Sequence, residues 1–349
     1  MSLPSQNEIY INQCIQLAAN GLGNVAPNPM VGCIIVKDNR VIAKGFHEQF
    51  GQAHAEPNAM MQLSDEELNG AVLYVNLEPC SHYGKTPPCA DLIISKNIKK
   101  VVIGNLDSNP LVAGKGVEKL RAAGIEVEYG ILEQACRELN KRFFTYHEKK
   151  RPYVILKWAQ TQDNFISRWP LPEDKTDNWI TGEQSKYLVH QWRSEEQAIL
   201  IGHNTLIADN PLLTNRLSKG KNPTRMLLSR YADVDARLNI FNEDAKTIVF
   251  NTQKDEIQHH VHFVKIDWNR KIDCVMDYCY QHQISSVIVE GGTNTIYHFM
   301  NTNVWDEARV FINSKKQFVN GLPAPEINFS SSFQKLKVGD DDLYYFKNM

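Results

Sequence analysis

Short apolar segments alternate with helix-like segments along almost the whole chain. The strand-like segments include VGCIIV, AVLYV, KKVVIG, QAILIG and SSVIVE. Between them lie patterns such as EIYINQCIQLAANGL and GEQSKYLVHQW, in which apolar residues recur at the spacing of an amphipathic helix. Near-continuous apolar strands separated by helices are typical of mostly parallel sheets that helices cover on both faces. The alternation therefore predicts an α/β architecture.

The length of the chain and one charged segment that ends in proline predict two domains. A chain of 349 residues that is 42% hydrophobic has enough apolar material for two cores. The charged segment HEKKRP, at 147–152, follows a long predicted helix and ends in proline, as linkers often do. We therefore place one domain at 1–147 and the other at 148–349.

The patterns predict elements in both domains. In the first domain, helices are expected at 8–22, from about His54, from Cys89, at 114–124 and, as one continuous helix, at 131–147. Strands are expected on both sides of the turn at 37–40 and at 71–79, 99–107 and 125–130. In the second domain, a helix is expected at 182–192 and strands at 153–159, 197–202, 225–229, 246–251 and 285–292, with 341–349 as an edge strand.

The charge and the apolar runs exclude some classes of partner. The formal net charge is -2, so the chain has no strong positive field to attract nucleic acid. Its apolar runs are much shorter than a bilayer span, and the first ten residues lack the basic flank and apolar stretch of a signal peptide. We expect a cytoplasmic protein that acts on a small molecule.

One constellation of residues predicts the chemistry of the first domain. His54 and Glu56 are followed by Cys80 and Cys89. A histidine and two thiolates are good ligands for zinc (Zn²⁺), and three protein ligands leave the fourth position open for water. At such a position zinc lowers the pKa of water from about 15.7 to about 7. Glu56 lacks a metal-ligand pattern, so proton transfer is its expected role.

This constellation is typical of zinc nucleobase deaminases, with one difference. Two residues usually separate the two cysteines, whereas eight residues, SHYGKTPP, separate Cys80 from Cys89. A closed structural zinc site or two buried thiols would also explain the cysteines, but neither would explain Glu56. The other cysteines lie in apolar stretches and are expected to act as small hydrophobic residues; they are Cys14, Cys33, Cys136, Cys274 and Cys279.

Longer strings around this constellation resemble a known family. They are APNPMVGCIIV, GFHEQFGQAHAE, LEPCSHYGKTPPC and DSNPLVAGKG. Together they closely resemble the bifunctional riboflavin-biosynthesis deaminase/reductase family. The resemblance implies a cytidine-deaminase-like, three-layer fold for residues 1–147. It also implies a substrate, 2,5-diamino-6-(5-phosphoribosylamino)pyrimidin-4-one, whose C2 amine is replaced by oxygen.

The resemblance also implies roles for individual residues. His54, Cys80 and Cys89 would hold the zinc, and Glu56 would be the catalytic acid and base. Lys85 would bind the phosphate as a cation. The residues expected around the deaminase substrate are Asn28, His47, His82, Lys85, Asp107 and Asn109.

The second domain has glycine-rich turns but no G-x-G-x-x-G fingerprint. The turns follow two strands, at 202–205 and 291–294. Such turns present backbone N–H groups to phosphates, but they also occur wherever a tight turn is needed. Residue patterns alone therefore leave a cofactor site and a purely structural role open.

The family resemblance extends over this second domain. The strings that carry it are LKWAQTQDNFIS, WITGEQSKYLVHQWRSEEQAILIGHNTLIADNPLLTNR and VIVEGGTNT. It implies a dihydrofolate-reductase-like domain with a mostly parallel sheet, which uses NADPH to reduce the ribosyl group to ribityl. Asp209 would assist proton transfer. Substrate contacts are implied for Lys157, Arg193, Leu213, Arg216 and Glu290, and cofactor contacts for Thr181, Asn204, Thr205, Gly291 and Gly292.

The chain also departs from the usual reductase pattern. Gln162 and Asn164 lie where Ser-Leu-Asp-Gly has leucine and glycine, Gly182 replaces a small hydroxyl residue, and Asn210 replaces the second aspartate of Asp-Asp-Pro. Two alternatives remain at this stage: a zinc deaminase of another nucleotide, of the cytidine or deoxycytidylate type, or a C-terminal domain that only binds ligand or supports assembly. The resemblance further suggests a homo-oligomer, either a dimer or a tetramer.

Overall fold

The computed structural model describes residues 3–83, 87–109, 113–327 and 333–348. The chain divides into two compact units, Met1–Lys150 and Arg151–Met349. Within the described residues, none of the helices combines the length and the apolar character needed to cross a bilayer.

The first unit is a five-stranded sheet covered by helices on both faces. Its strands are β1 Gly32–Lys37, β2 Arg40–Phe46, β3 Val72–Leu77, β4 Lys100–Asn105 and β5 Glu126–Tyr129. Their spatial order is β2-β1-β3-β4-β5, with β3, β4 and β5 parallel and β1 antiparallel to both β2 and β3. Its helices are α1 Gln6–Ala18, α2 Ala55–Met60, α3 Asp65–Leu68, α4 Cys89–Ser95, α5 Lys115–Ala122, α6 Glu133–Leu139 and α7 Lys141–Lys149.

Both faces of this sheet are apolar, because alternate residues of a strand point to opposite sides. Cys33 and Ile35 of β1 pack in one buried cluster with residues of α2, α4 and α5. Ile34 and Val36 pack in a second cluster with residues of α1 and α6. The near-continuous apolar strands therefore reflect burial on both faces, as predicted.

The predicted closing helix at 131–147 is two helices, which meet at Asn140. The Asn140 side chain accepts a hydrogen bond from the Met30 N–H (2.8 Å) and donates one to the Met30 carbonyl (2.9 Å). Its backbone angles, φ -99° and ψ 24°, leave the regular helical range. A contact with a residue 110 positions away therefore interrupts a pattern that is helical in sequence.

The second unit is built on a ten-stranded sheet. The strands of the unit are β6 Tyr153–Thr161, β7 Phe165–Arg168, β8 Ala198–Gly202, β9 Thr224–Leu228, β10 Thr247–Asn251, β11 Glu256–Gln258, β12 Val261–Lys265, β13 Ser286–Val289, β14 Glu307–Asn313, β15 Gly321–Pro323, β16 Phe333–Val338 and β17 Asp341–Lys347. The large sheet has the order β11-β12-β10-β9-β8-β13-β6-β14-β17-β16, and β7 pairs with β15 separately. The α-helices of the second unit are α8 Glu183–Glu195, α9 His203–Asp209, α10 Lys271–Gln281 and α11 Thr293–Asn301.

The seven strands from β12 to β14 in this order run parallel, which confirms the predicted mostly parallel sheet. The final strand β17 was expected at the edge of the sheet. It lies one position inside, because β16 pairs antiparallel with its outer side. Residues of β16 are almost all exposed, so the strand lacks the apolar run that would have revealed it.

The backbone conformation at Asn164 explains one departure from the family pattern. Its φ is +63°, in the left-handed region where glycine is favoured and where asparagine is tolerated better than most other residues. Its side-chain oxygen accepts a hydrogen bond from the Gln160 amide at 2.8 Å. Asparagine therefore keeps the turn that glycine makes in the usual sequence.

Candidate functional site

The predicted zinc ligands converge at the starts of two helices in the first unit. His54 is the N-cap residue of α2, and Cys89 is the first residue of α4. Cys80 lies shortly after β3, and its Sγ accepts a hydrogen bond from the Cys89 N–H at 3.3 Å. The loop of eight residues between the two cysteines thus begins and ends at the same site.

The distances between these ligand atoms fit a zinc ion. The His54 Nδ1 atom lies 3.7 Å from Cys80 Sγ and 3.4 Å from Cys89 Sγ. Tetrahedral zinc with ordinary Zn–N and Zn–S bonds would separate nitrogen and sulfur by about 3.6 Å. Among the described residues, this is the one group of three or more histidine, cysteine or acidic side chains gathered closely enough to hold a metal ion.

The two thiols also have the electrostatics of a ligand pair. Hydrogen bonds from Cys89 and His54 lower the pKa of Cys80 to about 4. The Cys80 thiolate and burial in turn raise the pKa of Cys89 above its usual range. The Cys80 side chain is therefore a thiolate before any metal binds, and a bound cation would favour deprotonation of the Cys89 thiol.

Glu56 lies on the first turn of α2 and is only 3% exposed. Burial and the negative charge of Cys80 raise its pKa to about 7. A buried carboxyl group with such a pKa can both accept and release a proton near neutrality. Its position beside the three ligands suits the role predicted for it.

Asn28 and His47 form a pair next to the predicted metal ligands. The Asn28 Nδ2 atom lies 3.2 Å from His47 Nε2, and the other ring nitrogen of His47 lies 2.9 Å from the Ala53 carbonyl. The ring of His47 is 5.3 Å from the ring of His54, measured between centroids. These hydrogen bonds hold an amide and an imidazole, two groups that can bind the edge of a base, against the zinc site.

The remaining residues predicted around the deaminase substrate differ in their burial. Asp107 is partly buried and accepts a hydrogen bond from the Asn109 N–H at 2.7 Å. Burial, with smaller contributions from the charges of Glu78 and Cys80, raises the pKa of Asp107 to about 7. His82 is exposed, and Lys85 lies outside the described residues.

A cavity of about 440 Å³ in the second unit, which we call the substrate cavity, gathers the residues predicted to contact the reductase substrate. Leu213, in its wall, is buried and has φ +54°, an uncommon conformation for leucine that bends the loop around the cavity. Thr181, expected at the cofactor, lies in this wall instead of in the neighbouring cavity. The other predicted residues in the wall are Lys157, Arg193, Thr205, Asp209, Arg216 and Glu290.

This cavity carries a cluster of ionised groups whose side chains are only 11 to 15% exposed. Glu290 accepts hydrogen bonds from Arg193 through both oxygens, at 3.3 and 2.8 Å, and lies 3.8 Å from Lys157 Nζ. Burial alone would raise the pKa of Glu290, but the charges of Arg193 and Lys157 lower it to about 2. The cluster carries two positive charges against one negative charge, and the excess favours an anionic substrate.

Glu290→Gln should destabilise the second unit by about 3 kcal/mol, because it leaves two mostly buried cations without their anionic partner. Because the folded-state pKa is depressed, the carboxylate stabilises the fold above its ordinary pKa of 4.5 and loses that effect as the pH falls toward 2. The variant should therefore unfold with a weaker pH dependence in that window.

The measurement is urea unfolding followed by tryptophan fluorescence. All six tryptophans lie in the second unit, so the signal reports on that unit. Glu173→Gln, at an exposed position, is the matched control. Equal unfolding midpoints for the two variants would contradict the stabilising role of the cluster.

A second cavity, of about 750 Å³, lies at the two glycine-rich turns. These turns follow β8 and β13, which are neighbouring parallel strands. A Cβ atom on Gly202 would lie 2.3 Å from the Thr295 hydroxyl, and one on Gly291 would lie 2.6 Å from Thr295 Cβ. Glycine is therefore needed where the turns approach α11. The predicted cofactor residues in the cavity wall are Asn204, Thr205 and Gly292.

The lining of this second cavity fits an elongated anionic nucleotide. Arg230 and Lys271 supply positive charge, and Tyr231, Trp268 and Tyr297 supply aromatic surface. The Gly292 N–H already donates to the Thr205 hydroxyl at 2.9 Å, which holds the two turns together. Thr205 also lines the substrate cavity, so a cofactor here would be adjacent to the substrate.

Lys186 and His190 are two titratable residues of the substrate cavity that sequence reasoning missed. The His190 ring accepts a hydrogen bond from the Arg216 N–H at 3.0 Å, and burial together with nearby cations lowers its pKa to about 4. Lys186, His190 and Arg193 are spaced by four and three residues on α8. That helical spacing is the signal that could have placed them on the same face as Arg193.

Two family models match the chain. The cytidine and deoxycytidylate deaminase zinc-binding region matches residues 4–105. The RibD C-terminal domain matches residues 152–316.

Relatives match over almost the full length. The riboflavin biosynthesis protein RibD of Aquifex aeolicus is 38% identical, over 97% of this chain and 97% of its own. A structure of the Thermotoga maritima diaminohydroxyphosphoribosylaminopyrimidine deaminase/5-amino-6-(5-phosphoribosylamino)uracil reductase has a TM-score of 0.87 and 38% identity, covering 98% of this chain and 99% of that one. The chain belongs to the RibD family. Acinetobacter baumannii RibD is a further similar structure, with a TM-score of 0.88, 32% identity and 99% of each chain covered.

Membership in the RibD family confirms several predictions. The fold is a cytidine-deaminase-like domain followed by a RibD-type reductase domain. The chain is a bifunctional enzyme of riboflavin biosynthesis, a zinc-dependent deaminase joined to an NADPH-dependent reductase. The alternative, in which the C-terminal domain has no catalytic role, is not supported.

Proposed function

We propose that the chain catalyses two consecutive reactions on one pyrimidine ribotide. The first is hydrolytic deamination of 2,5-diamino-6-(5-phosphoribosylamino)pyrimidin-4-one at C2. The second is reduction of the ribosyl group of the product to ribityl. The observation that supports the first reaction most directly is the buried Glu56 beside His54, Cys80 and Cys89, with ligand distances that suit zinc.

In the deaminase site, His54, Cys80 and Cys89 would hold zinc, which when bound supplies the Lewis acidity that lowers the pKa of water. Glu56 would take a proton from the attacking water and deliver it to the leaving amine, so that C2 gains oxygen and ammonia departs. Asn28 and His47, fixed to each other at 3.2 Å, would bind the edge of the pyrimidine.

In the reductase site, the two adjacent cavities would hold the ribose phosphate and NADPH. When bound, NADPH supplies the hydride. Arg193 and Arg216 would attract the phosphate, since guanidinium groups bind phosphate bidentately, and the ammonium group of Lys157 would add a further positive charge. Asp209 would give a proton to the ribose ring oxygen while the hydride reaches C1, so the C1–O bond opens and the sugar becomes linear.

A mass-spectrometric time course with the diaminopyrimidine ribotide and NADPH tests this proposal. The expected result is a product in which oxygen replaces an amine, followed by a second product that carries two more hydrogens. A chelator should stop the first step, and omission of NADPH should stop only the second. If zinc-loaded protein leaves the ribotide unchanged, the proposed substrate is wrong.

We also propose a cytoplasmic homo-oligomer, a dimer or a tetramer, that acts without nucleic acid. The net charge of -2 and the resemblance to the family support this proposal. Sedimentation equilibrium measures the oligomeric state, and a concentration-independent monomer would contradict it.

A further inference from the structure

Glu78 makes an unusual set of hydrogen bonds beside the zinc site. It is 4% exposed and lies two residues before Cys80. Its Oε2 atom accepts from the Asp107 N–H (3.1 Å) and the Gly114 N–H (2.9 Å). Its Oε1 atom accepts from the N–H groups of Gly116 (2.9 Å) and Val117 (3.2 Å). One carboxylate therefore binds four backbone donors from the same stretch of chain.

These donors come from both ends of the segment that follows β4. Asp107 lies just after the strand, whereas Gly114, Gly116 and Val117 form the N-terminal end of α5. A carboxylate satisfies such a cluster of N–H groups better than a neutral side chain, because charged acceptors form stronger hydrogen bonds and the helix dipole favours negative charge there. Glu78 therefore fixes the backbone at Asp107 and at the N-terminal end of α5.

The neighbouring glycine supports this view. A Cβ atom at Gly116 would lie 2.3 Å from the Pro79 carbonyl oxygen and 3.0 Å from Glu78 Oε1. The start of α5 must therefore approach residues 78 and 79 closely, and only glycine permits that approach. Residues 78 and 79 and the start of α5 are therefore held against each other.

The fixed segment carries groups that the deaminase substrate would contact. Asp107 and Asn109 are proposed substrate residues. Between them, Ser108 Oγ is buried and makes no hydrogen bond within the described part of the chain. A buried hydroxyl with unused hydrogen-bonding capacity is uncommon in native proteins and is suited to a polar ligand.

We propose that Glu78 is a positioning residue for the deaminase substrate, which acts by holding the 107–109 segment in place relative to Cys80. This inference rests on the proposed deaminase function and adds to it a determinant of substrate binding. Because Glu78 contacts only the backbone of the segment, its effect is on the affinity for substrate rather than on proton transfer.

Glu78→Gln tests the proposal in the full-length, zinc-loaded protein. The amide keeps the size of the side chain but presents an NH₂ group to two backbone donors, so two hydrogen bonds are lost. The KM for deamination should rise by about 10- to 100-fold, since a misplaced contact segment weakens substrate binding to that extent. The kcat, the zinc stoichiometry and the reductase activity should each stay within about threefold of wild type.

Matched variants separate positioning from a general structural effect. Glu118→Gln changes an exposed glutamate on α5 and should leave KM unchanged. Gly116→Ala disturbs the contact between α5 and Glu78 from the side of α5, so it should raise KM as Glu78→Gln does. It also tests the proposal if Glu78→Gln does not fold. In Glu78→Gln/Asn109→Ala, the rise in KM should be smaller than the product of the single rises, because both changes act on one segment.

An unchanged KM in both Glu78→Gln and Gly116→Ala would overturn the proposal. So would a fall in zinc content that accounts for the lost activity, because Glu78 would then act on the metal site. A wild-type enzyme that leaves the ribotide unchanged would instead refute the deaminase function on which the inference rests.

Discussion

Glu56→Gln should abolish deamination while zinc stays bound. The side chain is buried beside His54, Cys80 and Cys89 but is not one of the three ligands. Glutamine keeps its volume and removes its capacity to carry a proton. General acid–base catalysis contributes about 10²- to 10⁴-fold, and Glu56 would serve both the attacking water and the leaving amine. We therefore expect kcat to fall by about 10³-fold or more.

The measurement combines deaminase kinetics with metal analysis of the same preparations. Zinc stoichiometry and NADPH-dependent reduction of the deaminated ribotide should be unchanged in Glu56→Gln. Glu66→Gln, at an exposed position on α3, is the control and should deaminate normally. Normal turnover by Glu56→Gln would exclude Glu56 as the acid and base. Loss of zinc would show that it supports the metal site instead.

Asp209→Asn should remove reduction and spare deamination. Asp209 ends α9 and lines the substrate cavity together with Lys157, Arg193 and Glu290. Asparagine has nearly the same shape but cannot supply the proton that the ribose oxygen needs as the ring opens. The expected loss in reductase kcat is about 10²-fold or more.

Single-turnover reduction of the deaminated ribotide, monitored by NADPH absorbance, checks this result. NADPH binding itself should be unchanged, because the cofactor residues are not altered. Asp255→Asn, an exposed position in the same unit, is the control. Retained reduction in Asp209→Asn would assign the carboxylate a structural role at the end of α9, before the left-handed Asn210.

Much of the fold is encoded locally. The hairpin between β1 and β2 was expected from its turn, and Asp38 and Asn39 there have positive φ values, which such two-residue turns require. The helical spacing at the N-terminus predicts α1, which Ser5 caps by accepting a hydrogen bond from the Glu8 N–H. Such features depend on residues within a few positions of one another, so a sequence pattern reports them directly.

The chemical identity of the sites is also readable from the sequence. The residue types His, Glu, Cys and Cys at their spacing predict a zinc site with a proton carrier, and the glycine-rich turns follow two neighbouring strands, β8 and β13. The family resemblance implied substrate contacts for both Glu290 and Arg193. It gave no indication that they bind each other through both carboxylate oxygens across 97 positions of sequence.

Only the tertiary structure determined the features that depend on distant partners. The hydrogen bonds between Met30 and Asn140 separate α6 from α7, where the sequence predicts one helix. In the second unit, β16 pairs with the outer side of β17. Four backbone N–H groups that lie 29 to 39 positions away meet Glu78. Periodicity describes how a segment divides its own apolar and polar faces, whereas hydrogen bonds of this kind depend on which segments the folded chain brings together. For that reason the sequence by itself determined many of the elements and the residue types of the predicted sites, and the tertiary structure decided which distant segments hold one another in place.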